Sequence, residues 1–274
     1  MRRVFACAVL LIVVLPAFAF GKKVIAPRPP YPVLYTATSD AVVTGTITAV
    51  EDETVKAKSH PDAPDATEYK VLVVKVTDAV HGVKNTTHVR VALPADEFFR
   101  PGQPLQPDGK FLFYLTQHST TSLLLPNPNQ KPVNLADKHA DELVRRAKLV
   151  GAAIKDPMTA LKADDKDDRV LAAVGLVTYY RRHAGREHET AYRPADESKL
   201  ILEALAEGDW TNGRSLDEGG VYSLALGMNL EDYGWRHLPN PGQQNPAGEE
   251  QAAFKKWLSD KGKDARVKQF VPKK

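Results

Sequence analysis

Ala41-Val-Val-Thr-Gly-Thr-Ile-Thr-Ala-Val50 decides how the first half of the chain is read. Its residues are β-branched almost throughout, which suits a pleated surface, and Gly45 interrupts it where a strand would bulge or coil sharply. Tyr69 to Val80 predicts a second strand, apolar on both faces at Val71, Leu72, Val73, Val74 and Val76 and therefore central. His81-Gly82 turns the chain, and His88 to Leu93 alternates Val89, Val91 and Leu93 against His88 and Arg90. Lys110 to Gln117 places Phe111, Phe113 and Leu115 on one side, and Ser122 to Leu125 offers a fifth strand. The polar stretch 51–68, with Pro61 and Pro64, is expected to be a long loop.

About five strands, the first kinked by glycine, fit a small antiparallel barrel, with a β-sandwich as the alternative. Together with Gly109-Lys-Phe-Leu-Phe-Tyr-Leu115, this pattern makes the N-terminal half resemble an OB-type barrel of the netrin-like and metalloproteinase-inhibitor-like kind. Inhibitors of that kind open with a metal-ligating cysteine. The chain has one cysteine, Cys7, and it falls inside the leader described below, so that mode of inhibition does not carry over.

Pro126-Asn-Pro-Asn-Gln-Lys-Pro132 marks a linker, beyond which the pattern turns helical. Helices are expected over 137–154 (Leu143, Ala147 and Val150 on one face), 158–162, 164–176, 196–206, 221–226 and 248–259. The acidic run Asp164-Asp-Lys-Asp-Asp168 reads as a helix start, where carboxylates favour the exposed amides. Leu161, that acidic turn, Arg169, Ala172-Ala173 and Leu176 resemble a single HEAT-type repeat over about 157–185, which implies one helix pair of the kind stacked in α-solenoids. The fold class expected is therefore α+β in two domains, with the β domain at 36–125, a linker at 126–136 and an all-α, HEAT-like domain at 137–260.

The ends of the chain bear on where it works. Arg2-Arg3, the apolar run Val4 to Val14, a break at Leu15-Pro16 and the small residues Ala17 and Ala19 form a secretory leader, with cleavage expected after Ala19. Its alternative, a retained anchor, is short for a span of roughly 20 residues. Removing 19 of the 274 residues leaves 255 and takes Arg2 and Arg3 with it. That leaves 35 basic groups against 34 acidic ones, a formal charge of +1, and no thiol for a disulfide, an iron–sulfur cluster or a nucleophile. A mean hydropathy of −0.34 excludes a polytopic membrane protein. Residues 20–35 read as a Pro-rich spacer and 261–274 as a basic tail; from 251 onward eight cations face only Asp260 and Asp264.

Chemistry-bearing patterns are sparse. Neither a P-loop, a Gly-x-Gly-x-x-Gly nor a Gly-x-Ser-x-Gly elbow occurs, and no cofactor is expected. His183, Glu187 and His188 suggest a metal-dependent hydrolase, but the separation of five positions between the histidines turns the second ring about 140° from the first on a helix. A zinc site wants them one turn apart. The residues that suggest binding are the pair Phe98-Phe99, an aromatic contact on a loop or else core, and the cations Lys255, Lys256, Lys261 and Lys263. The sequence thus points to a secreted or periplasmic, non-catalytic binding protein whose partner is a protein or an anionic envelope polymer. Export and near-neutral charge argue against nucleic acid.

Overall fold

The computed structural model describes residues 31–58, 63–95, 105–127, 130–183, 187–211, 220–236 and 246–273. The leader and Phe98-Phe99 lie outside them. The N-terminal part is built from α1 (Pro32–Thr38), β1 (Ala41–Lys58), β2 (Ala66–His81), β3 (His88–Pro94), β4 (Lys110–Gln117), β5 (Leu124–Pro126) and β6 (Val133–Asn134). Beyond it come α2 (Ala140–Lys155), α3 (Pro157–Ala160), α4 (Lys166–Arg181), β7 (His188–Tyr192), α5 (Ala195–Glu207), α6 (Val221–Gly227), α7 (Pro246–Asp260) and β8 (Lys268–Pro272). The class is α+β, a mixed sheet followed by helices.

Pairings in the sheet run round a ring: β1 with β2, β2 with β3, β3 with β5, β5 with β4, and β4 back to β1. All are antiparallel except β3–β5, where Val91 lies beside Leu124 in parallel. This corrects the expectation of a wholly antiparallel arrangement, and the reason is parity. Strand directions cannot alternate all the way round a ring with an odd number of members, so one pair must run parallel. Gly45 sits at a register shift between β1 and β2, as a bulge requires. A Cβ there would come within 2.6 Å of both the Lys75 carbonyl oxygen and Val74 Cγ1.

Residues 51–58 and 66–68 of the stretch expected as a loop are strand. β1 continues to Lys58 and β2 begins at Ala66, so the two strands form a long hairpin. Its polarity is that of a ribbon standing in solvent: Lys56 pairs with Glu68 at 2.9 Å, the Lys70 ammonium donates to the carbonyls of Glu51 and Asp52, and Arg90 forks onto the Glu51 carboxylate at 2.8 and 2.7 Å.

Both faces of β1 and β4 are buried. Ala41, Val43, Ile47, Phe111, Phe113 and Leu115 join Leu72, Val74, Val89 and Val91 in one cluster. From the opposite face, Val42, Leu112 and Tyr114 meet Tyr31, Tyr35, Val133, Ala140 and Ala147. The cover on that second face is α1 and the first half of α2. In α1, Tyr35 lies against Tyr114 with ring centroids 5.8 Å apart, while Val33 and Ala37 enter the helical core. Residues two apart on a helix point about 200° from one another, so this short element has one face for each half of the molecule. It occupies residues 32–38 and so takes up the end of the stretch read as a spacer. Pro32 fits the first turn, where its missing N–H costs nothing. The linker stretch likewise holds β6, which pairs with β4 at Phe111 and Leu112.

The second half of α2 turns Val150 and Ala153 into the helical core. Gly151 lets this helix close onto β2, since a Cβ there would be 2.5 Å from the Val80 carbonyl oxygen. α4 runs through the middle, buried at every residue from Val170 to Val177. Asp165 caps it by accepting from the Asp168 amide at 2.9 Å, so the acidic run does start a helix. Trp210, Trp235, Phe254 and Trp257 pack together on the far side, tying α7 to α5 and the turn at Leu230–Tyr233. Among the described residues no helix is long and apolar enough to cross a membrane.

Where β2 ends against α4, the His81 ring meets Tyr179 edge-on at 5.8 Å, and Arg182 lies over the Tyr179 ring at 4.6 Å and 4.0 Å from Asp40. Burial first, and then the Arg182 charge, lower the His81 pKa from its ordinary 6.5, with Asp40 opposing them. The unfolded chain therefore takes up this proton at a higher pH than the folded one. The His81 contribution is complete above about pH 6.5 and declines as pH falls through the folded pKa. Urea unfolding followed from pH 7.5 downward is expected to show a shallower loss of stability in His81→Gln than in the parent protein; equal slopes would remove His81 from the joint.

Candidate functional site

Lys255 and Lys256 lie on α7 between the two residues that anchor it, Phe254 and Trp257. At 100° per residue the anchors take the inner face and the two lysines the outer one. All four expected cations, Lys255, Lys256, Lys261 and Lys263, are exposed. Lys256 is engaged, its ammonium 2.7 Å from Asp260. Lys256 chiefly, with help from Ser259 and Lys261, holds the Asp260 carboxyl below its ordinary range. Among the described residues, none of Lys255, Lys261 and Lys263 has its charge taken up in an ion pair within 4.0 Å. Lys255 stands on the helix itself, while Lys261 and Lys263 follow its C-terminal end, where the carbonyl ends of the backbone favour positive charge.

The ground under them is firm. Gly262 passes beneath Trp257, where a Cβ would be 2.9 Å from Leu258 Cδ1 and 3.4 Å from the indole. Ala265 and Val267 then plug into the core, and the chain enters β8. The stretch read as a basic tail is thus a buried crossing followed by a strand paired with β7. Of its remaining cations, Lys268 pairs with Asp232 at 3.0 Å, and Arg266 is half-buried.

His183, Glu187 and His188 are placed apart in role. His183 follows α4, and its Nε2 accepts from Arg182 Nε at 3.1 Å. His188 belongs to β7, its ring 4.3 Å from that of Phe270. Glu187 is exposed, and its carbonyl accepts from the Lys273 amide. Among the described residues, no group of three His, Cys, Asp or Glu side chains is arranged to hold a metal ion.

One buried polar network escaped the sequence reading. Glu197, 3% exposed, accepts from the Tyr180 hydroxyl at 2.6 Å and from Arg193 Nε at 2.9 Å on one oxygen, and from Arg193 Nη2 at 2.7 Å on the other. The same guanidinium lies over the Tyr180 ring at 4.7 Å and donates to Gln269 Oε1 at 3.1 Å. Beside it, the Ser198 hydroxyl donates to the Arg193 carbonyl and accepts from the Val267 amide. Burial and the neighbouring carboxylate push the Tyr180 phenol above its ordinary pKa. Every oxygen of the carboxylate is met by a donor, so the network clamps α4, the start of α5 and β8 together. Its sequence signal is the i,i+4 pair Arg193–Glu197 across Pro194; the Tyr180 and Gln269 partners are set by tertiary contact.

No protein-family model matches the chain, and comparison with curated proteins finds no match.

Removing the carboxylate strands a guanidinium and a hydroxyl, whereas removing the hydroxyl alone leaves the ion pair. Glu197→Ala is therefore expected to cost about 3–5 kcal/mol and Tyr180→Phe about 1–2 kcal/mol, measured by urea denaturation. Equal, small losses would show that the network bears little of the packing.

Proposed function

We propose that this protein is an exported, non-catalytic binding protein of the cell envelope or extracellular space, and that it holds an anionic polymer through Lys255, Lys261 and Lys263. The single observation that carries the reading is the exposure of these three cations, outside any ion pair among the described residues, on and just past a helix fixed by Phe254, Trp257 and the crossing at Gly262. A basic face on a rigid support attracts polyanions at little ordering cost. Export rests on the leader, with Arg2-Arg3, its apolar run and the small residues Ala17 and Ala19.

In this reading the strand ring is an OB-type barrel of the netrin-like and metalloproteinase-inhibitor-like kind. The order β1-β2-β3-β5-β4, its return to β1 and the glycine bulge in the first strand support it. The helical half contains one HEAT-type pair over about 157–185, supported by the succession of α3, the acidic turn and α4, with Asp165 capping α4. The barrel and helices serve as the scaffold on which the basic face is displayed.

Polygalacturonate and neutral pullulan are suitable probes. Binding of polygalacturonate that weakens with salt, no binding of pullulan, and an affinity lower by about tenfold or more in the triple variant K255E/K261E/K263E are expected. Unchanged affinity in the triple variant, or binding insensitive to salt, would refute the assignment of this face.

A further inference from the structure

The two-stranded sheet made by β7 and β8 has unequal edges. Each pair in its register sums to the same position, from His188 beside Pro272 to Tyr192 beside Lys268. Just beyond the strands, the Arg193 amide donates to the Val267 carbonyl and the Lys273 amide to the Glu187 carbonyl. Hydrogen-bonded pairs alternate along an antiparallel ladder. Glu189 and Ala191 therefore bond inward to β8, and the amides and carbonyls of Thr190 and Tyr192 point out of the sheet on the far side of β7. By the same parity, Lys268, Phe270 and Pro272 form the outer edge of β8. That edge is guarded, because Pro272 has no N–H to offer and Lys268 carries a charge.

β7 has no such guard. His188-Glu-Thr-Ala-Tyr192 contains neither proline nor lysine, and its register with β8 shows no bulge. Glu189, Thr190, Ala191 and Tyr192 are all exposed, and Tyr192, at 54%, is the most open large apolar side chain among the described residues. A two-stranded ribbon is short of the three strands that an independently stable sheet needs.

We infer that β7 pairs with β7 of a second copy, antiparallel across a two-fold axis at Thr190, to form a four-stranded sheet. The strand is self-complementary in this register. Thr190 meets Thr190 of the second copy, and the two exchange both backbone bonds. Tyr192 faces His188 of the second copy, ring against ring, which covers the open tyrosine. Glu189, the only carboxylate of the strand, faces Ala191 instead of its own counterpart, so the two carboxylates do not oppose one another. A symmetric strand pair of this kind is an isologous interface, which closes at two copies and does not propagate.

Sedimentation of the purified protein tests the pairing. A dimer in reversible equilibrium with monomer is expected. Thr190→Pro removes an outward N–H without touching the ladder to β8, and Ala191→Glu sets a carboxylate opposite Glu189 of the second copy; each is expected to abolish the dimer. Both positions are exposed, and thermal unfolding checks that each variant keeps its fold. If Thr190→Pro fails that check, Ala191→Glu decides alone. A parent protein that stays monomeric at its highest soluble concentration, or a dimer that survives in folded Ala191→Glu, would overturn the proposal. So would a monomer that instead takes up an extended peptide along β7.

Discussion

A strand that is apolar on both faces must be covered on both, and β1 and β4 meet that condition. Inside the ring, Val43, Ile47, Phe111 and Phe113 satisfy one another. Val42, Leu112 and Tyr114 point the other way, and left in water they would expose a contiguous apolar surface. The chain solves this with the elements at either end of its sheet. α1 precedes β1 and α2 follows β6, and both lie on that outer face. Because each also sends residues into the helical core, covering the sheet recruits the helices. Val33 and Ala37 from α1, with Val150 and Ala153 from α2, are where that recruitment is made.

The rest of the architecture follows from how this contact is held in place. Gly151 brings α2 against β2, and the Lys148–Asp78 ion pair at 2.5 Å flanks the approach. His81, Tyr179, Arg182 and Asp40 close the same seam from the α4 side. Farther out, Glu197 binds the end of α4 to α5 and β8, so the C-terminal strand is anchored to the central helix. The lysines near the end of α7 and the open edge of β7 both sit on this fixed frame. Surfaces that recognise a partner gain from such support, since little order is lost on binding.

Much of the frame was legible in the sequence because it depends on local pattern. Val-rich runs marked β1 to β3, the spacing of Phe111, Phe113 and Leu115 marked β4, Gly45 marked the bulge, and the acidic run 164–168 marked the helix start that Asp165 does cap. What escaped depends on partners distant in the chain. Pro29, Pro30 and Pro32 read as a spacer, yet a proline in the first turn is compatible with α1, and only Tyr114 and the helical core reveal why that helix forms. Residues 51–58 looked like a loop because a solvated hairpin arm carries the same polar residues as a loop. β7 and β8 hold Lys, Glu and Gln, so each hides its pairing until the other is beside it. Of the candidate site, Lys255, Lys261 and Lys263 could be found from charge alone, but the pairing of Lys256 with Asp260 and the buried crossing at Ala265 and Val267 could not.

Joined through α1 and α2, the sheet and the helices are expected to unfold as one cooperative body. Differential scanning calorimetry of the intact protein should then show a single transition, with calorimetric and van't Hoff enthalpies equal. Two resolved transitions, one for the sheet and one for the helices, would contradict it.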